Sequence, residues 1–520
     1  MHNTPESPLY QAPTTVQLAL AALRQSGDRI VFKSAAGDWT GTATLNMIAA
    51  LQAELKRQSV RPGGRLAVLG SNRPETWCAG IAAQGLGLCI TWLHPLGGIE
   101  SHIQQLQDFE PDLLVLDVPR FADAGRLLSE RIGPALPICT LGASEVGPDL
   151  LRSAQASFSV VDWSRPDELA IVNYTGGTTG KSKGAFRNHA ALSAIALGTL
   201  ADFDLPRQPK FLAVGPISHV TGSKILPVLL RGGQVTMLDH FDPDLVCATI
   251  EAEAIDTALL VPTMIYSILD SGGLSKHDTR SLKLLLYGAS SMAAARLAEG
   301  LDRLGPIFSQ LYGQTECYPI AVLPREDHDT RHPDRLRACG FPSRSCSVAL
   351  LDGDGQHVEA GSVGEVCVRS PYVMSGYWKQ PELTLETLRG GWLHTGDVGQ
   401  FDEAGRLYIV DRIKDIIITG GFNVYPKEVE DIIASIEGVA MCAVLGVPDP
   451  KWGEAVVAAV VPAPGAALGS GAIMAAVKAR CGPVQTPKEV RFFTELPLTG
   501  AGKIDKKRLK DSNWLGGSGA

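Results

Sequence analysis

The sequence predicts an α/β protein: a large N-terminal domain of two doubly wound sheets plus a small β subdomain, followed by a mobile α+β C-terminal domain. Three observations predict this. From about residue 42, helical patterns alternate with short, nearly continuous apolar runs, as in parallel sheets covered on both faces. Beyond residue 340 the texture changes to alternating strands and Gly/Asp turns such as Asp352-Gly353-Asp354-Gly355. After Asp411 a short stretch carries its own strands and helices, and its size of about 100 residues suits an independent domain. The predicted division is therefore 1–411 and 412–520.

In chain order, a helical pattern over 44–55 leads to the strand pattern 65–70, and a helix over 74–86 precedes Cys89-Ile90-Thr91-Trp92. A helix over 100–108 leads to Leu113-Leu114-Val115-Leu116. The rhythm returns in strand patterns at 211–214, 235–238, 258–261 and 284–287, which suggests one layer on either side of residue 150. Strands over 347–351 and 364–368 form the β-rich subdomain. The last domain reads as strand 415–419, helix 426–436, strands 440–447 and 454–461, and helix 471–480.

Composition bounds the function. At 520 residues the chain is too long for one core, and 45% apolar with 20% charged residues is ordinary for a soluble globular protein. A formal charge of −8 argues against a nucleic-acid partner, which calls for a basic face, but leaves small anionic ligands open. The ten cysteines are scattered, with no C-x-x-C and no zinc-like spacing, so buried free thiols in a reducing compartment are expected. The first residues lack a secretory pattern, no uncharged apolar run approaches the roughly 18 residues of a membrane span, and the last five read as a frayed tail. A cytoplasmic protein without a transmembrane segment is expected.

Chemistry concentrates in Tyr174-Thr175-Gly176-Gly177-Thr178-Thr179-Gly180-Lys181-Ser182-Lys183-Gly184. Glycines allow close backbone approach, while hydroxyls and lysines reach phosphate oxygens, so this is a loop suited to a polyphosphate. The run Leu169-Ala170-Ile171-Val172 before it reads as a strand and 189–199 as a helix, which places the loop at a strand end, where doubly wound sheets bind ligands. It is not the common P-loop, which needs glycine where Thr175 stands. Further on, Tyr312-Gly313-Gln314-Thr315-Glu316 joins an aromatic, a close-approach glycine and a carboxylate after a short strand at 307–309. His394-Thr395-Gly396-Asp397 sets a carboxylate in a turn. Asp411-Arg412-Ile413-Lys414 and Gly420-Gly421 open the last domain, and Thr499-Gly500-Ala501-Gly502-Lys503 presents a lysine on a flexible loop.

In these motifs and their order, over about residues 15–510, the chain resembles the adenylate-forming (ANL) superfamily, in its acyl-CoA synthetase branch. The resemblance implies a two-step reaction: a carboxylate attacks the α-phosphorus of ATP to give acyl-AMP and pyrophosphate, then a thiol displaces AMP. It implies that Thr175, Gly176, Gly177, Thr178, Thr179, Gly180 and Lys183 cradle pyrophosphate, with Thr178 and Glu316 serving Mg²⁺. Tyr312 would stack on adenine opposite Gly288 and Ala289, with Gly313, Gln314 and Thr315 completing the nucleotide site. Asp397 would take both ribose hydroxyls beside Arg412, and Lys503 would bridge the carboxylate and α-phosphate as the catalytic lysine. Lys414 falls at the family's hinge, and Gly420 and Gly421 at its coenzyme A tunnel.

His219 resembles the residue that walls the carboxylate pocket, and Val220, Thr221, Thr263, Met264, Tyr287, Cys317 and Ile320, with Gly288 and Gly313, take pocket positions. These are mostly apolar, without a basic residue to clamp a second carboxylate. Residues 220–230 carry no acid to hold a substrate ammonium, which argues against amino acids. A hydrophobic fatty, aryl or steroid-like acid is expected, with ATP and coenzyme A as co-substrates and room for a homodimer. The Gly420-Gly421 pair, the run Asp449-Pro450-Lys451-Trp452-Gly453-Glu454 and the absence of a carrier stretch after residue 510 favour free coenzyme A. Delivery to a carrier protein or to oxygen, and a non-catalytic nucleotide-binding role, are the alternatives.

Overall fold

A computed structural model of the protein describes residues 11–153, 158–174, 182–498 and 504–510. The loop 175–181 and the segment 499–503, including Thr175, Gly176, Gly177, Thr178, Thr179, Gly180 and Lys503, lie outside the described residues.

The expected two α/β layers are present. One sheet has seven strands in the order Gly376–Tyr377, Gly184–Asn188, Leu169–Tyr174, Cys89–Trp92, Arg65–Leu69, Leu113–Asp117, Ile138–Leu141. The other has nine, running from Phe341–Pro342 through Cys317–Leu323, Phe308–Gln314, Leu284–Gly288, Thr257–Leu260, Lys210–Ala213, Gln234–Met237 and Ile30–Ser34 to Gly37–Thr40. Helix Pro74–Gly85 contributes to the hydrophobic core that spans strands of both sheets, and all its residues are buried, which explains its apolar content on every face.

The division at residue 150 is corrected. Leu169–Tyr174 and Gly184–Asn188 belong to the first sheet, while the early hairpin Ile30–Ser34/Gly37–Thr40 joins the second by parallel pairing with Gln234–Met237. An apolar strand pattern says that a strand is buried, not which sheet it completes; that choice is a pairing across some 200 positions. The helix Thr15–Ser26 adds to the expected elements, with Thr14 and Gln17 forming a reciprocal capping box at its start.

Two local readings also change. The strand expected to end near residue 309 runs to Gln314 and turns back at Thr315-Glu316 into Cys317–Leu323, its antiparallel neighbour. Asp397 lies within the strand Leu393–Phe401 rather than in a turn. The small sheet is antiparallel, in the order Ser347–Leu351, Gly364–Arg369, Leu393–Phe401, Leu407–Arg412. Beyond it, Phe422–Val424, Ile417–Thr419, Gly453–Pro462, Val439–Asp449 and Glu489–Phe492 form the last sheet, whose own core includes residues of helices Pro426–Ala434 and Ser470–Gln485. Among the described residues no helix is long and apolar enough to cross a membrane, and all ten cysteines are free, seven of them buried.

Two buried histidines give the fold a pH dependence. His328 sits between the Pro324 carbonyl at 2.8 Å and the Tyr287 hydroxyl at 3.0 Å, and burial pushes its pKa down to about 4. His189 opens helix His189–Asp202 and is pushed down to about 4 for the same reason. Between the ordinary 6.5 and 4 the unfolded chain binds these protons and the folded chain does not, so stability present above pH 6.5 is lost as pH falls toward 4. The melting temperature should therefore drop steadily from pH 7 to pH 4.5, and His328→Gln should flatten part of that slope in thermal unfolding scans.

Candidate active site

The turn Thr315-Glu316 is held from outside. Arg187, itself buried, donates to the Thr315 carbonyl and, at 3.2 Å, to the Tyr372 carbonyl. The Met374 N–H donates to the Glu316 carbonyl at 2.7 Å. The Glu316 side chain, 9% exposed, accepts from the Tyr377 hydroxyl at 2.6 Å. Tyr377 lies on the edge strand paired with Gly184–Asn188, and the Lys183 ammonium stands 5.4 Å from the centre of its ring. One phenol thus connects the stem of the glycine-threonine loop to Glu316.

Four residues earlier, Tyr312 makes a second such link. Its hydroxyl donates to Asp397 at 2.5 Å, and burial together with that carboxylate raises its pKa far above the ordinary value. Asp397 is 3% exposed and also receives Arg412 Nε at 3.0 Å and Gln314 Nε2 at 3.4 Å. Asp397 and Arg412 stand opposite each other across paired strands. The bend before Asp397 needs Gly396 at φ +72°, and its N–H donates to Glu365 at 3.0 Å while His394 Nδ1 lies 2.7 Å from the same carboxylate. Sequence reading missed Glu365 because its role comes from register between two strands, not from spacing within one.

Cations crowd this junction. Burial, then the Arg412 charge, pushes the Lys414 ammonium below its ordinary pKa against the pull of Asp415 and Asp397, and Lys183 adds to the depression. Arg412 and Lys183 therefore both repel the Lys414 ammonium, a repulsion that a bound polyanion would relieve.

On the acid side, His219 lies against His94 with ring centres 4.4 Å apart in an edge-to-face arrangement, and its Nδ1 is 2.8 Å from the Ser218 hydroxyl. The residue keeps exposed surface, yet the protein packed around the ring, followed by His94, pushes its pKa down to about 4. It is neutral at physiological pH. The segment before it is clamped by Asn72, which donates to the Val214, Gly215 and Leu238 carbonyls at 3.0–3.3 Å and accepts from the Ile217 N–H at 3.0 Å. Neither His94 nor Asn72 carried a sequence signal: each lies past the end of a strand of the first sheet and meets a loop of the second.

The remaining pocket positions divide. Val220, Met264, Gly313 and Gln314 keep partial exposure, and Thr263 and Ala289 are exposed, whereas Thr221, Gly288, Tyr287, Cys317 and Ile320 are buried. The last three are fully enclosed members of hydrophobic clusters, with Tyr287 also bonded to Gln310 at 3.1 Å. A Cβ at Gly288 would stand 2.3 Å from the Leu311 carbonyl oxygen, so close strand approach requires glycine there, and Ala289 adopts φ +67° just beyond. Gly420 and Gly421 form the turn between Ile417–Thr419 and Phe422–Val424. Gly421 has φ +83° and open space where a Cβ would stand, so in this pose backbone conformation rather than crowding calls for glycine. The segment bearing Lys503 is flanked by a Leu498–Ile504 bridge and an Asp505 N–H to Pro497 carbonyl bond of 2.8 Å. Lys506, just beyond, pairs with Glu430 at 2.7 Å and feels Asp411 and Asp415, which puts this flank beside the Arg412–Lys414 junction.

Comparison with known proteins agrees with this geometry. A match to the AMP-binding enzyme family spans residues 19–378, and one to the AMP-binding enzyme C-terminal domain spans 428–503. The chain is 38% identical to a medium/long-chain-fatty-acid–CoA ligase of Mycobacterium tuberculosis, over 98% of this chain and 92% of that protein. It is 36% identical to a feruloyl-CoA synthase of an Amycolatopsis species, over 89% and 91% of the two chains. The solved structure of the amide bond synthetase McbA from Marinactinospora thermotolerans superposes with a TM-score of 0.89 at 32% identity, over 96% of this chain and 99% of that one. ATP-bound MatB from Rhodopseudomonas palustris gives 0.87 at 27%, over 96% and 99%. The chain belongs to the AMP-binding enzyme family of adenylate-forming enzymes, in its acyl-CoA synthetase branch.

Proposed function

We propose that the protein joins a hydrophobic carboxylic acid to free coenzyme A through an acyl-adenylate. The observation that carries this is the pair of tyrosine–carboxylate links along Tyr312–Glu316: one reaches the loop stem at Lys183, the other reaches Asp397 and Arg412. Phosphate-binding and ribose-binding groups are thereby fixed around one cleft before ATP arrives, which is what preorganised electrostatic catalysis requires.

In this reading Asp397 accepts both ribose hydroxyls, Tyr312 lines the adenine side, and residues 175–180 with Lys183 hold the departing pyrophosphate. Glu316, with Thr178, would hold Mg²⁺, a hard ion suited to carboxylate and hydroxyl oxygens, which would spread the charge of the phosphate oxygens. The substrate carboxylate attacks the α-phosphorus, the bond to pyrophosphate breaks, and Lys503 steadies the charge that gathers between them. Neutral His219 walls the carboxylate without adding a proton or a charge. The thiol of coenzyme A then gives up its proton to solvent, its sulfur attacks the acyl carbon, and AMP leaves with the electrons of the acyl–oxygen bond. Movement of residues 412–520 about Lys414 would exchange Lys503 for the Gly420-Gly421 turn between the two steps. Relatives named for fatty, ferulic and indoleacetic acids and for a dioxo-octahydroindenyl propanoate support an apolar acid pocket. Ten free cysteines support action in a reducing cytoplasm.

Pyrophosphate exchange measured with and without coenzyme A tests the proposal; exchange without any thioester product would redirect it to a carrier protein or another acceptor. Gly421→Leu is expected to abolish thioester formation while acid-dependent exchange continues. Because φ +83° also strains a leucine, thermal melting of the same variant separates a blocked channel from a damaged domain. Normal thioester synthesis in a folded variant would remove Gly421 from the tunnel.

A further inference from the structure

Lys224 is a buried cation next to the proposed acyl pocket that the pocket positions read from sequence did not include. It lies in helix Gly222–Leu230, whose start follows Val220 and Thr221 in the chain, and is 1% exposed. Its ammonium makes one weak hydrogen bond, to the Thr199 hydroxyl at 3.3 Å, and stands 4.5 Å and 5.0 Å from the ring centres of Tyr318 and Phe203. No carboxylate of the described residues pairs with it. Asp202 is the anion that acts on it, but the Asp202 carboxylate is engaged by the Ser343 hydroxyl and, at 2.8 Å, by the Arg344 N–H. Three ammonium hydrogens with one distant acceptor leave donor capacity unused in a dry place, which is costly to maintain. Burial accordingly pushes the Lys224 pKa down to about 7, with Asp202 opposing.

Tyr318 brings a second unused donor from another element. Its hydroxyl is buried, has the Ser223 hydroxyl beside it, and makes no hydrogen bond of ordinary geometry among the described residues. Its ring faces Gly313, where an added Cβ would stand 3.1 Å from Tyr318 Cδ2. Tyr318 thus bridges the Gly313 end of the cleft and the Lys224 ammonium. Lys224 lies in the first turn of helix Gly222–Leu230, which follows His219 and Val220 directly in the chain.

We propose that Lys224 and Tyr318 form a polar floor to the acyl pocket, which favours acids carrying a carbonyl or hydroxyl oxygen at the end remote from the carboxylate. The inference rests on the acyl-CoA ligase reading and refines its substrate class. Such an oxygen would accept from both donors and remove the cost of leaving them unpaired, whereas an all-alkyl acid of the same length would not. A cation that merely braces helix His189–Asp202 against strand Cys317–Leu323 would affect stability but not the choice between acids.

The test is a competition between octanoate and 7-oxooctanoate, with both coenzyme A thioesters quantified by mass spectrometry and pyrophosphate exchange recorded for each acid alone. The wild type should favour the oxo acid, and Lys224→Met should lower the ratio of the two kcat/KM values at least tenfold. Tyr318→Phe should lower it severalfold, which keeps the test open if Lys224→Met does not fold. A wild-type ratio near one, or an unchanged ratio in a folded Lys224→Met, overturns the polar floor and leaves the ligase reading standing. Absence of both exchange and thioester across these acids and a wider panel overturns the ligase reading itself.

Discussion

Lys503→Ala should slow acyl-adenylate formation by a factor on the order of 10² to 10³, the usual loss when one preorganised donor to a charged transition state is removed. Transfer from supplied acyl-AMP to coenzyme A should survive. The reason is position: in the first step charge gathers on the α-phosphate and the leaving pyrophosphate, where Lys503 is proposed to stand, while in the proposed pose for the second step the Gly420-Gly421 turn has replaced it. The flanks of this lysine are fixed by the Leu498–Ile504 bridge and the Lys506–Glu430 pair, so truncation removes the ammonium without unseating the segments on either side. Pyrophosphate exchange and single-turnover transfer, measured separately, check the split. Equal loss in both steps would contradict the role.

The second large effect is expected at Asp397. Its carboxylate collects Tyr312, Arg412 and Gln314 in a nearly solvent-free position. Asp397→Ala removes the proposed acceptor for the ribose hydroxyls and strands a guanidinium and a phenol that it had organised. Hydrogen bonds to a charged group contribute about 1.5–3 kcal/mol each, so the loss of one or two should raise the KM for ATP roughly 10- to 10⁴-fold. The KM for the acid should change far less. Isothermal titration with ATP in the absence of acid reads the effect directly, and wild-type affinity in the variant would move the ribose site elsewhere. Arg412→Ala should lose less, since its side chain is half-exposed and solvent weakens its pairing.

The line between what was legible and what was not runs through particular residues. The strand at Leu169–Tyr174 and the helix at Pro74–Gly85 announce themselves by local apolar pattern, and Glu316, Asp397 and Arg412 stand out because each sits in a motif a few residues long. The strand Gly184–Asn188 was hidden behind the loop, since a short strand after glycines has too few residues to establish a period. His94, Asn72, Glu365 and Lys224 were invisible for a different reason. A lone histidine, asparagine, glutamate or lysine gains its role only from partners in distant segments, as far as 166 positions away for Asn72, or from burial that its own neighbours do not dictate.

By itself, the sequence determined that the chain builds two covered sheets and a terminal domain, and that its motifs suit a carboxylate activated by ATP. Apolar periodicity and glycine-rich spacing are short-range properties, encoded where they act. Only the tertiary structure decided which sheet claims the early hairpin, that Tyr312 and Tyr377 bond to Asp397 and Glu316, and that Lys224 is buried against Tyr318 and Phe203. Those are meetings of side chains from distant segments, set by strand register and packing, and no local pattern carries them.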